Sequence, residues 1–236
     1  MKIIQYISIL CMTVFCYTNS GAQDDPVANY LQRTKNYAEI CNGKIEVIYN
    51  IIQYKDFPYY RNSDFTKASI VYKNNYYPGQ KVRLDLFQEQ LILLAPEKPY
   101  GIILNSQNVE KVFMYNKTIV WLNPLKESGL KPGYYIYLFE GKKLQLFCKE
   151  KYLPQQKIQF NTIVYHFEHN IRYYLYYNNK YYPVKNKGSF SKLFPQYKKQ
   201  INQYAKDNNL NFEQGKDTNL TSLAGYCEEL LISTNK

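Results

Sequence analysis

Histidine and tryptophan are almost missing from this chain, with 2 His and 1 Trp in 236 residues. The shortage argues against a metal centre built on imidazoles. Such a site needs three or four converging ligands, and the segment around His166 and His169 offers two at most. Familiar catalytic motifs are missing as well: there is no G-x-S-x-G elbow, H-E-x-x-H helix, phosphate-binding glycine loop, dinucleotide fingerprint or calcium loop. After residue 22 long apolar runs are missing. The longest, at residues 91–95, is far short of the roughly 18 residues a membrane-spanning helix needs. Acidic residues are scarce too, 19 against 30 Lys and Arg, for a net charge of +11 and a mean hydropathy of −0.50. No metal or cofactor is expected.

What is present at the start is an export pattern. Lys2 precedes an apolar stretch over residues 3–15, and Ser20-Gly21-Ala22 places small residues where a signal peptidase reads them. Residues 1–22 are expected to be removed as a signal peptide, leaving 214 of the 236 residues. The segment carries one of the 30 basic residues and none of the 19 acidic ones, so the mature charge is +10. Cys11 and Cys16 follow Leu10 and Phe15, poor contexts for a lipid anchor. Such a charge attracts anionic partners over about a Debye length, ~10 Å at 0.1 M salt. In an exported protein these are envelope glycans or lipid headgroups, and nucleic acid is not an expected partner. Lysines spread along the chain (Lys111, Lys142, Lys157, Lys198) also serve simply to keep a β-surface soluble.

The 27 tyrosines fit pleated, half-buried surfaces. Residues 81–87 alternate polar and apolar with Val82, Leu84 and Leu86 inward, and residues 143–148 alternate again. Short apolar runs at 91–94, 102–104 and 118–122 read as strands between Gly, Pro and Asn punctuation. Lys73-Asn74-Asn75, Tyr115-Asn116-Lys117, Glu140-Gly141-Lys142 and Asn178-Asn179 read as four hairpin turns. Nine to eleven strands are expected between Lys44 and Val184. The reading is mainly β: an antiparallel meander over residues 43–184, forming a sandwich or a partly closed barrel. Residues 23–42 form an N-terminal segment with helical spacing at Val27, Tyr30, Leu31, Tyr37 and Ala38. Residues 185–236 form a helical region packed on the β-domain. There Ser189 caps a short turn, Pro195 opens one helix, and Asp217 or Asn219 caps a second with its stripe at Leu220, Leu223, Ala224, Cys227, Leu230 and Leu231.

The stretch Ala38-Glu39-Ile40-Cys41-Asn42-Gly43-Lys44 is followed by Phe57-Pro58-Tyr59-Tyr60. The hairpin Ile70-Val71-Tyr72-Lys73-Asn74-Asn75-Tyr76-Tyr77 and the strand Val82-Arg83-Leu84-Asp85-Leu86-Phe87 come next. Together they resemble the opening of an uncharacterised group of exported β-rich proteins from Bacteroidota. Tyr182-Pro183-Val184, Leu193-Phe194 and the helix to Leu210 resemble the group's closing region. Cys41 stands where the group tends to have Tyr, and Asn74-Asn75 where it tends to have Asn-Gly. The resemblance implies export and a β-rich fold and brings no catalytic residue.

Candidate site residues come from strand faces. In Arg172-Tyr173-Tyr174-Leu175-Tyr176-Tyr177, one face carries Arg172, Tyr174 and Tyr176. Aromatic rings beside a donor hold sugars or peptides, and the same pattern also arises from cross-strand packing that only stabilises a sheet. His166 and Glu168 share a face of a strand over residues 160–168, with His169-Asn170 as the turn that follows; they are the fallback polar pair. Asp85, Glu89 and Glu140 read as solvated strand or turn residues, and Trp121 as buried beside Ile119. Cys41, Cys148 and Cys227 allow one disulfide in an oxidising compartment, yet each reads as a small buried hydrophobe.

The expectation is an exported, non-catalytic β-protein (periplasmic, outer-membrane-associated or extracellular) that binds or scaffolds at the cell envelope. An anionic glycan or lipid headgroup on a Lys/Tyr face is its sharper form. The alternatives are a hydrolase of envelope glycans or peptides, and a protein–protein module in an exported assembly that pairs through a β-edge.

Overall fold

A computed structural model describes Thr34, residues 39–96 and residues 98–233. The expectation for the signal at 1–22 lies outside the described residues, and so does the possibly helical segment 23–42 except for Thr34 and residues 39–42, of which Thr34, Glu39 and Ile40 are helical. The chain divides into Met1–Tyr37 and Ala38–Lys236, and the second unit holds everything below.

That unit is mainly β. Eleven strands make one antiparallel sheet that is not closed into a barrel: β1 Lys44–Ile45, β2 Thr66–Tyr72, β3 Asn75–Asp85, β4 Gln90–Leu94, β5 Gly101–Ile103, β6 Val109–Met114, β7 Lys117–Leu122, β8 Gly133–Glu140, β9 Gln145–Gln159, β10 Thr162–Tyr177 and β11 Lys180–Val184. Their order is β1-β5-β4-β3-β2-β6-β7-β8-β9-β10-β11, two meanders joined where β6 returns to β2. The sheet curls enough that the β3–β4 turn meets β9, with Tyr152 N donating to Leu86 O at 3.5 Å.

Two-residue turns set the register. Lys73-Asn74, Tyr115-Asn116, Phe160-Asn161 and Asn178-Asn179 have positive φ at both positions, the twist that suits tight hairpins. The third was missed by the sequence reading, which placed Phe160 in a strand and a turn at His169-Asn170. Instead β10 runs unbroken through His169 and Asn170, paired with β9 from Thr162↔Gln159 to Tyr176↔Gln145.

Three helices follow: α1 Lys187–Leu193, α2 Lys198–Asp207 and α3 Lys216–Ser233. Asn186, rather than Ser189, caps α1 by accepting from Gly188 N. Pro195–Tyr197 form a 3-10 turn that leads into α2. Asp217 and Asn219 lie inside the first turn of α3, and Asn219 Nδ2 donates to the Asn211 and Gln214 carbonyls. The buried face of α3 carries Leu220, Leu223, Ala224, Cys227 and Leu231 and packs against β8 and β9. Each Leu contributes about 1.5–3 kcal/mol by leaving water. These residues join Val82, Leu84, Leu86 and Leu146 in the main core. Trp121 is half-buried, edge-on to Tyr134 at 4.9 Å. Cys41, Cys148 and Cys227 are free thiols at that core, so the disulfide that the compartment would allow does not form among them. Burial pushes the Cys227 thiol up to about 12 and raises that of Cys148 as well, which makes both inert.

Candidate functional site

The outer face of β8, β9 and β10 carries a second, aromatic cluster. Val120, Leu130, Tyr135 and Phe147 form its buried part, with Tyr137, Tyr174, Tyr176 and Tyr181 packed around them. Toward the β3–β4 turn the same face becomes charged. Period-two geometry puts Phe147, Lys149 and Lys151 on one side of β9, and Tyr174, Arg172 and Asn170 lie directly opposite them on β10. Two cations, Lys149 and Arg172, therefore face each other across neighbouring strands.

One carboxylate answers them. Glu89, with φ +56° in the β3–β4 turn, reaches over to Lys149. Lys149 Nζ lies 2.6 Å from Glu89 Oε2, donates to Tyr134 O at 2.9 Å and sits 4.6 Å from the centre of the Tyr135 ring. Tyr134 N also donates to Glu89 Oε2, at 3.0 Å. Burial lowers the Lys149 pKa from its ordinary value, and Glu89 opposes that shift. The other oxygen, Glu89 Oε1, is buried and accepts no hydrogen bond among the described residues, with Lys151 Nζ 3.9 Å away. Gly133 permits this crossing. Its φ of +155° favours glycine, and a Cβ there would collide with Lys149 Nζ and Glu89 Oε2.

A cavity of about 420 Å³ opens above this pair. Lys131, Lys151 and Arg172 stand around it, Tyr135 and Tyr174 supply rings, and Leu153 and Asn170 complete one wall. Tyr135 OH donates to Lys131 O at 2.7 Å and so ties the 129–132 segment to the rim. The local balance is four cations to one anion. A larger groove of about 920 Å³ runs among the helices beside Lys185, Lys187, Lys192, Lys198 and Lys216, but it is wider open and holds no buried ion pair.

Of the residues expected at a site, Arg172 and Tyr174 line the cavity together. Tyr176 shares their strand face but not the cavity; its ring packs on Tyr181 at 4.7 Å and its hydroxyl donates to Asn179 Oδ1. His166 and Glu168 do not converge on a common group. His166 Nδ1 lies 3.3 Å from Asp56 Oδ2, and Glu168 Oε2 accepts from Gln155 Nε2 at 2.9 Å. The histidine turned toward a buried acid is His169, whose Nε2 is 2.8 Å from Glu150 Oε2. Two acids read as solvated are not. Asp85 is buried and accepts from Tyr49 OH at 2.6 Å, with its carboxyl held above the usual range by burial. Glu89 is the acid of the cavity.

The described residues that line the cavity include no cysteine, histidine, serine or threonine. Among the described residues no group of three His, Cys, Asp or Glu is placed to hold a metal ion. No family model matches the chain, and no curated protein or solved structure is significantly similar to it.

Proposed function

We propose that this protein binds an anionic ligand, an acidic glycan of the cell envelope, in the cavity between Lys131, Lys151 and Arg172. One observation carries the reading: Arg172 sits directly opposite Lys149, and Glu89, the only carboxylate lining the cavity among the described residues, is already engaged by Lys149. Like charges facing across a sheet are destabilising, so the fold gains nothing from the arrangement unless an anion completes it. Tyr135 and Tyr174 give a sugar ring faces to lie on. A lipid headgroup shares the anionic chemistry but makes no use of the rings. The reading is of an exported, non-catalytic envelope protein of the kind the N-terminal pattern suggests.

Residues 23–236 keep the whole Ala38–Lys236 unit and suit a binding screen at low and high salt. Acidic polysaccharide, its neutral counterpart and anionic vesicles are the three arms. Salt-sensitive binding to the acidic polysaccharide is expected. Equal binding to the neutral polymer, or no binding to the acidic polysaccharide, overturns the proposal; vesicle binding that Arg172→Gln removes reassigns the cavity to a headgroup.

A further inference from the structure

Beyond residue 153 the β9–β10 hairpin runs on to an exposed end, although on β10 Val164 is buried and Tyr165 to Phe167 are half-buried. From Leu153 to Gln159 every β9 residue is exposed, and on β10 the same holds for Thr162 and Ile163. Polar side chains would suit such an end, yet its tip is apolar. Ile158 and Ile163 face each other directly and are 76 % and 48 % exposed. Phe160, in the turn itself, is fully exposed at 102 %. Its φ of +48° is a conformation that Asn or Gly adopts at lower cost, so neither turn formation nor packing explains a phenyl ring there. Tyr115 occupies the equivalent place in another turn, but its ring meets Tyr60 and its hydroxyl meets Thr66.

A second apolar group is strapped to the same hairpin. The chain at 53–55 pairs with Tyr165, through Tyr165 N to Gln53 O at 2.7 Å and Lys55 N to Tyr165 O at 3.0 Å, and Tyr54 stacks on the Tyr165 ring. The turn just before it exposes Ile51 and Ile52, and Val47 and Ile48 precede them, also exposed. Single exposed hydrophobes are ordinary; a set of this size on the hairpin end and the turn strapped beside it marks an interaction surface. Three exposed lysines flank it, Lys44, Lys55 and Lys157, on a chain whose net charge is +11.

We propose that this hairpin end, together with the 47–52 turn, inserts into the interfacial zone of an anionic lipid bilayer. The occupant is a lipid surface rather than a protein because exposed lysines stand beside the apolar residues on a chain of net charge +11, which matches an anionic bilayer. From Ile158 to the turn the hairpin spans ~7–10 Å at the usual rise of a strand, the depth of the headgroup and upper acyl region. The flanking lysines then meet the phosphate layer. This attachment does not depend on the anion cavity.

Phe160→Trp in residues 23–236 puts a reporter at the tip, with Trp121 as the half-buried internal reference. Vesicles of phosphatidylcholine mixed with phosphatidylglycerol should shift its emission to the blue, and brominated acyl chains should quench it. Phe160→Asp with Ile158→Ser should weaken vesicle binding roughly tenfold to a hundredfold while the melting curve stays in place. Arg172→Gln, which disarms the cavity, should leave vesicle binding unchanged. No blue shift with any vesicle, or concentration-dependent self-association lost in the Phe160→Asp variant, overturns the proposal.

Discussion

Leu144 N donates to Glu228 Oε2 at 2.8 Å, a bond that fastens the β8–β9 loop to the middle of α3. Lys142 N and Lys143 N donate to Glu228 Oε1 at 2.6 and 2.9 Å, so one buried carboxylate collects three successive amides. Gly141 leaves room for it, since a Cβ there would lie 2.7 Å from the Glu228 carboxyl carbon. An interior helix acid thus does the work of a hairpin turn.

Removing that acid strands the amides. Glu228→Ala should cost roughly 3 kcal/mol, a fall in melting temperature of roughly 10 °C for a domain of this size. Glu228→Gln keeps one acceptor oxygen and should recover part of the loss. Calorimetry of the two variants checks the order; an unchanged Glu228→Ala melt would contradict the anchoring role.

Gly133 is the second backbone requirement. Gly133→Ala strains a left-handed backbone and drives a methyl into the Lys149–Glu89 pair. The expected result is a loss of roughly 2–4 kcal/mol, with weakened anion binding in whatever fraction stays folded. Urea titration gives the first quantity, and binding well below the melting temperature gives the second.

Tyrosine ionisation should limit stability in base. Burial, first among the causes, raises the pKa of Tyr49, Tyr59, Tyr134, Tyr135 and Tyr173 above the ordinary 10.0. Hydrogen bonds or nearby carboxylates add to the rise for Tyr49, Tyr59 and Tyr173. For a group raised on folding, the stabilising contribution is complete below its unfolded pKa and is lost as pH climbs toward the folded value. Stability should therefore hold up to about pH 10 and fall beyond it. Absorbance at the phenolate band should show these rings ionising together with loss of the circular dichroism of the fold. Ionisation of all 27 tyrosines in a still-folded chain would contradict this.

Strand alternation at 81–87 and 143–148, the Asn-rich turns and the α3 stripe were legible because local pattern decides them. The charged cavity was not, and the reason lies in one turn. Tyr115 and Phe160 are bulky residues in left-handed positions, and Phe160-Asn161 gives no glycine or proline cue. Without that turn the β9–β10 register is undetermined, and nothing places Arg172 opposite Lys149. With it, pairing outward from residues 160 and 161 puts Lys149, Arg172, Phe147 and Tyr174 on one face. Glu89 was beyond reach in any case, because its approach to Lys149 depends on the curl of the whole sheet. Arg172 and Tyr174 were found by alternation alone; Tyr176 shares the alternation but lies past the end of the cavity.

Titration of acidic polysaccharide into residues 23–236 and into the Arg172→Gln variant, at two salt concentrations, tests the central claim most directly. Relief of the Arg172–Lys149 opposition should leave the variant as stable as the parent or up to ~1 kcal/mol more so, while binding weakens roughly tenfold and loses part of its salt dependence. An Arg172→Gln protein that binds as tightly as the parent, with the same salt dependence, would contradict the assignment of the cavity to an anionic ligand.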